Sequence, residues 1–156
     1  MQRRLKAMTA GMGKEPANGF LRLLNPDLID GPMPDISSTE GQAVIEPHLA
    51  ETEFVVIDNL STLCRSGREN ESGSWGPVQG WLLDLRRRGI TVLVVHHSGK
   101  NGGQRGTSRR EDVLDLVLNL RRPQDYSSED GAKFEVHVEK GRSIFGSDAN
   151  GRQSSP

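Results

Sequence analysis

The stretch that decides the fold is Phe54-Val55-Val56-Ile57-Asp58-Asn59-Leu60, an apolar run that ends directly in an acidic residue. A run rich in β-branched residues and without polar alternation is typical of a strand buried on both faces of a parallel sheet. The carboxylate of Asp58 then lies at the carboxyl end of that strand, which is the edge where ligands bind in open α/β sheets. Asp58 is therefore the first candidate functional residue.

An acidic residue after a fully apolar strand suits a nucleotide hydrolase, which uses it to hold Mg²⁺ directly or through water. This pattern makes Asp58 a candidate metal ligand and, with Asn59, a candidate contact for a bound nucleotide. Many α/β proteins end a central strand in Asp for reasons of turn formation or helix capping. Both interpretations of Asp58 stay open at this point.

A second buried strand is predicted over residues 90–95 (ITVLVV), which run into His96 and His97. The intervening segment predicts a helix that has Pro77 in its first turn and ends at Gly89. Two apolar strands flanking one helix predict a βαβ unit with parallel pairing, so His97 and Asp58 are expected at the same edge. A neutral imidazole there can hydrogen-bond to a γ-phosphate or its attacking water, although a purely structural histidine is the alternative.

Two basic segments follow the second strand. Residues 98–108 are rich in glycine, and with the arginines just after them they form a flexible cationic strip suited to a phosphodiester backbone: Lys100, Arg105, Arg109 and Arg110. Lys140 and Arg142 follow a predicted half-buried strand, where a guanidinium can contact charge that develops on a transferring phosphoryl group. The alternatives are a solvated linker for the first segment and exposed surface charges for the second. We expect both segments at the edge that carries Asp58 and His97.

The remaining pattern predicts ordinary elements of an α/β domain. Helices are expected over residues 1–12 and from Ser38 or Thr39 to about Leu49, the latter with Val44, Ile45 and Leu49 inward. Further strands are expected over residues 20–24, 113–120 and 134–138, with a hairpin turn at residues 140–142. Residues 147–156 have the composition of a disordered tail.

Composition sets limits on the class of protein. The chain has 156 residues, a formal charge of -1 and one cysteine, Cys64, which fits a single domain in a reducing compartment without a disulfide framework. The sequence has no apolar run of membrane-spanning length and no signal peptide, so a cytoplasmic protein without membrane contact is expected. A zinc site is disfavoured, because His48 and His137 show no ligand spacing with His96 and His97.

The order of these motifs resembles the RecA-like ATPase core of RepA-type hexameric replicative helicases. The resemblance covers residues 21–146 and is carried by FVVIDNLSTLCRSGREN, VLVVHHSGK, RGTSRREDVLDLVLNLRRP and FEVHVEKGRS. It implies an α/β, RecA-like three-layer fold with a mostly parallel central sheet over residues 1–146, and a homo-oligomeric, hexameric ring that couples hydrolysis of ATP with Mg²⁺ to movement along single-stranded DNA.

The resemblance also implies residue roles. Asp58 matches the Walker B aspartate, His97 the γ-phosphate sensor, and Lys140 with Arg142 the basic finger pair that reaches the ATP of the neighbouring subunit. The segment that carries Lys100 and Arg105 lies where such rings place a DNA-contacting loop.

The sequence departs from this family at its start, where neither a glycine-rich phosphate loop nor the following acidic strand is found. We therefore expect a domain truncated at the N-terminus, which lacks the Walker A part and hydrolyses no appreciable ATP on its own. Two other functions remain open. One is a non-catalytic remnant that binds DNA or a full-length helicase ring, and the other is a RecA-like regulatory ATPase that moves no DNA.

Overall fold

The computed structural model of the chain describes residues 2–65, 72–97 and 113–142. These residues fall into two units, Met1–Pro34 and Asp35–Pro156.

The first unit consists of one helix followed by turns. Helix α1 spans Gln2–Met12, as the sequence predicts, and the amide of Gly13 donates to the carbonyl of Ala10 at 3.2 Å. The strand predicted over residues 20–24 is wrong, since this segment is irregular and Phe20 is 83% exposed. A strand requires hydrogen bonds to a neighbouring strand, and apolar composition does not supply that partner.

The second unit is built on a β-α-β unit. Strand β1 (Phe54–Asp58) is followed by the short helix α3 (Leu60–Leu63), the long helix α4 (Ser72–Arg87) and strand β2 (Thr91–Val95). Helix α2 (Thr39–Ile45) precedes β1. β1 and β2 pair in parallel, in a register that runs from Phe54 opposite Thr91 to Asp58 opposite Val95. The predicted parallel pairing is confirmed, and it fixes which end of each strand lies at the shared edge.

Helix α4 supplies four of the nine buried residues in the core cluster of this unit. Val78 and Leu85 are fully buried, and Val92 and Val94 of β2 pack against the same cluster. The other buried members of the cluster are Ile36, Leu49, Ile57, Leu60, Trp81, Leu82 and Ile90. The helix ends at Arg87, and Gly89, the predicted stop residue, lies two residues later with φ +81°, a conformation that favours glycine. Pro77 lies inside the helix and not in its first turn, because the helix begins at Ser72.

The parallel sheet is buried on one face. Val55 and Ile57 point into the core, whereas Phe54, Val56 and Leu93 on the opposite face are 55%, 54% and 49% exposed. The prediction of a strand buried on both faces is therefore wrong for the described residues, where α4 packs on a single face. The α/β class is confirmed, and a three-layer arrangement is not seen in this part of the chain.

Strands β3 (Leu116–Arg121) and β4 (Glu135–Gly141) form a separate antiparallel sheet with an irregularity between Val117 and Leu118. The strand predicted over residues 113–120 is present as β3. The expectation that it is buried is wrong, because Leu118 and Leu120 are 49% and 60% exposed. The expected single, mostly parallel sheet is absent from the described residues, which contain one parallel pair and one antiparallel pair. The predicted hairpin turn at residues 140–142 is also wrong, since β4 continues through Gly141.

Helix α2 spans Thr39–Ile45 and is capped by Ser38, whose hydroxyl accepts from the amide of Gly41 at 3.0 Å. The chain continues as a 3₁₀ turn over Glu46–Leu49, because Pro47 disfavours a longer α-helix. Leu49 is inward as predicted, whereas the prediction for Val44 is wrong, since its side chain is 56% exposed. In the part of the chain that the structure describes, no helix has both the length and the apolarity needed to cross a bilayer.

Candidate functional site

The carboxyl edge of the parallel sheet brings together the residues that the sequence singles out first. Asp58 ends β1 opposite Val95, the last residue of β2, and His96 and His97 follow Val95 directly. The side chains of Asp58 and His97 are exposed, and that of His96 is half-buried. The predicted placement of Asp58 and His97 at one edge is therefore confirmed.

Asn59 fixes the direction in which the chain leaves this edge. Its side-chain oxygen accepts from the backbone amide of Thr62 at 3.0 Å and from the Thr62 hydroxyl at 3.1 Å, which caps α3. The peptide bond between Asp58 and Asn59 is cis. Because the Asn59 side-chain oxygen serves as the cap, the side-chain NH2 is the group that remains to donate a hydrogen bond to a nucleotide. The nucleotide contact of Asn59 stays a prediction.

Asp35 and Ile36 hold the end of helix α3, which leaves the edge of the sheet after Asp58. This role was not predicted from the sequence. The carboxylate of Asp35 accepts from the amide and hydroxyl of Ser37 and, at 3.2 Å, from the amide of Arg65. The next amide, that of Ile36, donates to the carbonyl of Leu63 at 2.8 Å. These bonds hold the C-terminal end of α3, the short helix that follows Asp58 and Asn59. The available signal was the Asp-x-Ser pattern after Pro34, which favours a side-chain-to-backbone turn.

Lys140 and Arg142 lie elsewhere in the fold. Lys140 is in β4 and Arg142 follows that strand, in the sheet that does not contain Asp58. The expectation that this pair shares one sheet edge with Asp58 and His97 is wrong, because β3 pairs with β4 and not with β1 or β2. Their contact with a transferring phosphoryl group stays a prediction.

Arg142 is instead placed beside an acidic residue. Its backbone amide donates to the carbonyl of Asp115 at 2.9 Å, and its Nη1 lies 3.9 Å from Oδ1 of Asp115. The same oxygen lies 3.3 Å from Nη2 of Arg86, near the end of α4. This connection between α4 and the β3–β4 sheet was not anticipated from the sequence, since Arg86 and Asp115 carry no motif.

The candidate DNA-binding residues Lys100, Arg105, Arg109 and Arg110 lie outside the described residues. Their role stays a prediction from composition and from the resemblance.

The residues at the carboxyl edge belong to the region that matches a known family. A family model described as an AAA domain matches residues 1–103, about two thirds of the chain. The chain belongs to the AAA domain family. The match includes Asp58 and His97 and ends before Lys140 and Arg142, so an ATPase-like function is supported for the AAA region that holds the parallel sheet. A search of curated proteins and a search of solved structures each return no match.

AAA-type domains generally bind ATP with Mg²⁺, and the edge of this AAA domain fits such a group. Mg²⁺ in nucleotide sites takes one or two carboxylates and completes its shell with phosphate oxygens and water. Asp58 offers one exposed carboxylate at the end of β1. Among the described residues, no group of three or more His, Cys, Asp or Glu side chains is placed to hold a metal ion alone.

Proposed function

We propose that this chain forms part of the ATP-hydrolysing motor of a ring helicase that moves along single-stranded DNA. The observation that carries the proposal is the shared edge of β1 and β2, where Asp58 and the His96-His97 pair emerge side by side. The AAA family match supports the ATPase-like part. The helicase part rests on the resemblance of the motif order to RepA-type enzymes.

Asp58 and His97 have different tasks at this edge. When bound, Mg²⁺ shields the phosphate charge and orients the γ-phosphate. The exposed carboxylate of Asp58 would hold the ion or one of its waters, and Asn59, the next residue, caps helix α3. His97 hydrogen-bonds to the γ-phosphate or to the attacking water. Because the segment with Lys100 and Arg105 follows His97 directly, a change in that hydrogen bond reaches the DNA-contacting residues.

Lys140 and Arg142 act on the nucleotide of a neighbouring copy in this proposal. Lys140 and Arg142 belong to the β3–β4 sheet and do not lie at the edge of the β1–β2 sheet that carries Asp58. This position suits a role in trans. A homo-oligomeric ring, hexameric as in the resembling family, would bring them to a second subunit. The exposed apolar side chains on both sheets favour assembly, because large apolar surfaces are costly to leave in water.

The ATPase part is tested with a fusion, because the sequence contains no glycine-lysine-threonine phosphate loop. We expect no measurable turnover from the 156-residue chain alone. A phosphate-loop segment from a RepA-type helicase, fused ahead of Met1, should give Mg²⁺-dependent ATP hydrolysis that single-stranded DNA stimulates. In that fusion, Asp58→Asn should lower kcat by roughly a hundredfold, the scale of one lost electrostatic group in a reaction centre.

The control for this test is Asp30→Asn, which removes the same charge from an exposed residue of the first unit. A folded fusion in which Asp58→Asn and Asp30→Asn hydrolyse ATP equally would refute the role of Asp58. Hydrolysis without displacement of an annealed DNA strand would favour a regulatory ATPase. Salt-sensitive DNA binding by the original chain, without any turnover in the fusion, would favour a non-catalytic DNA-binding protein.

A further inference from the structure

The antiparallel sheet of β3 and β4 has one face that consists of apolar side chains. Leu118 lies opposite Val138 and Leu120 lies opposite Val136, and the alternation of side chains along each strand places all four on the same face. The same alternation adds Leu116 at one end of this face and Phe134 at the other. The exposed fractions of the six side chains lie between 47% and 60%. These six residues form the apolar face of the sheet.

The polar side chains on the opposite face of this sheet are bonded to one another. Oε1 of Glu139 accepts from Nδ2 of Asn119 at 2.6 Å and from Nη2 of Arg121 at 3.1 Å. Val117, which alternation also places on that side, is only 8% exposed and is therefore covered by its own chain. The sheet is thus amphipathic. In antiparallel sheets of this kind, the apolar face normally packs against another layer.

The size of the apolar face fits a small interface between two chains. Half of each of six large apolar side chains amounts to about 500 Å², a size at which exposed apolar patches are often functional. Two such faces packed on each other would bury about 1,000 Å² in total, which is near the lower limit for a specific interface. We therefore expect a weak dimer, whose population depends on the protein concentration.

The arrangement of larger and smaller side chains on this face suits a second copy of the same face. β3 contributes a row of leucines, and β4 contributes Val136 and Val138. A two-fold axis parallel to the strands would place the leucine row of one copy over the valines of the other, so that larger side chains meet smaller ones. The six residues of the face include no charged residue, so this pairing brings no like charges together.

We propose that the apolar face is a dimer interface, on which the same face of a second copy packs about a two-fold axis parallel to the strands. The two sheets then stack face to face about 10 Å apart, as the layers of a β-sandwich do. This inference goes beyond the proposed function, because the contacts of a ring run head to tail, whereas a two-fold contact uses the same surface of both copies. The interface involves neither Asp58 nor His97.

The test is analytical ultracentrifugation of the chain, without nucleotide or DNA, over a range of concentrations. The wild type should show an equilibrium between monomer and dimer. Leu118→Lys and Val138→Glu should each raise the dissociation constant of the dimer by at least about tenfold, because the two-fold axis puts each new charge into the interface twice. Both side chains are about half exposed in the single chain, so both variants should fold like the wild type, which circular dichroism checks.

An equimolar mixture of these two variants tests the two-fold arrangement itself. In a mixed dimer, the introduced lysine and glutamate face each other once, and the unchanged Leu118 and Val138 meet once. The mixed dimer should therefore bind at least about fivefold more tightly than the dimer of either variant alone. If one of the two variants does not fold, Leu120→Lys with Val136→Glu repeats the test on the neighbouring pair of the same face.

Val56→Lys is the matched control, since Val56 is an apolar residue of β1 that is 54% exposed and belongs to the other sheet. This variant should leave the dissociation constant of the dimer unchanged. A wild type that stays monomeric at every concentration would overturn the proposal and leave the apolar face to a different protein. Equal weakening by Val56→Lys and Leu118→Lys would also overturn it, as would folded variants that gain nothing from mixing. Because no hydrolysis is measured, a fusion without ATP turnover refutes the proposed function and leaves this result intact.

Discussion

The replacement of Gly41 by alanine offers the sharpest test of how the candidate site is held. Gly41 lies in α2, and a Cβ atom built on it would be 2.0 Å from the backbone oxygen of Asp35 and 2.6 Å from its carbonyl carbon. The obstacle is backbone and not the end of a flexible side chain. Asp35 must therefore move, and it belongs to the segment that supports α3 behind Asp58.

The size of the effect follows from the hydrogen bonds that this movement breaks. The carbonyl of Asp35 accepts from the amide of Ser38 at 3.1 Å and from its hydroxyl at 3.0 Å, and Ile36 donates to Leu63 at 2.8 Å. Each bond contributes about 1 kcal/mol to stability. The substitution also adds about 1 kcal/mol to the free energy of unfolding, because alanine is a better helix former than glycine. The expected net loss in free energy of unfolding is about 2 kcal/mol, or a Tm lower by about 4–8 °C.

Urea denaturation followed by circular dichroism measures this loss. The matched control is Gly80→Ala, since Gly80 is also helical and no atom lies within 4 Å of the position of its added Cβ. That variant should gain about 0.5–1 kcal/mol, because the same propensity acts without a clash. If Gly41→Ala is as stable as Gly80→Ala, the close approach of α2 to Asp35 is not a feature of the folded protein.

Two further predictions concern single side chains. Asn59→Ala should lower the free energy of unfolding by about 1 kcal/mol through loss of the α3 cap, as measured by urea denaturation, whereas Asn59→Asp should be nearly neutral; equal losses would argue against the cap. The side-chain amide of Asn119 donates a hydrogen bond to the carboxylate of Glu139, and the guanidinium of Arg121 donates another. Both bonds lower the pKa of the Glu139 carboxyl, and that from Asn119 has the larger effect. Because this pKa is depressed on folding, the stability that Glu139 contributes is present above the ordinary pKa of a glutamate and is lost as the pH falls through the lowered value. Thermal melts should therefore show Glu139→Gln less stable than the wild type at neutral pH and equal to it in acid, and a gap that persists in acid would contradict this origin.

The local elements of the second unit follow from the sequence because their signals are local. Residues 54–57 and 90–95 are mostly apolar and rich in β-branched residues, and each run is bounded by polar or glycine residues, which predicts two strands that then pair with each other. The end of α4 at Arg87 is likewise determined by Gly89, which follows two residues later and tolerates a positive φ. The strand predicted over residues 20–24 failed, because an apolar segment becomes a strand only if a partner strand lies beside it.

The sequence by itself determined the β1–α4–β2 order, the parallel pairing of these two strands, and the common edge of Asp58 and His97. These features depend on residue periodicity and on the geometry that a β-α-β connection imposes. The tertiary structure alone decided that Asp115 draws Arg86 and Arg142 together and that Asp35 holds the end of α3. Such contacts join residues that are far apart in the chain. They depend on how whole helices and strands pack together, which cannot be predicted from a local pattern of residue types.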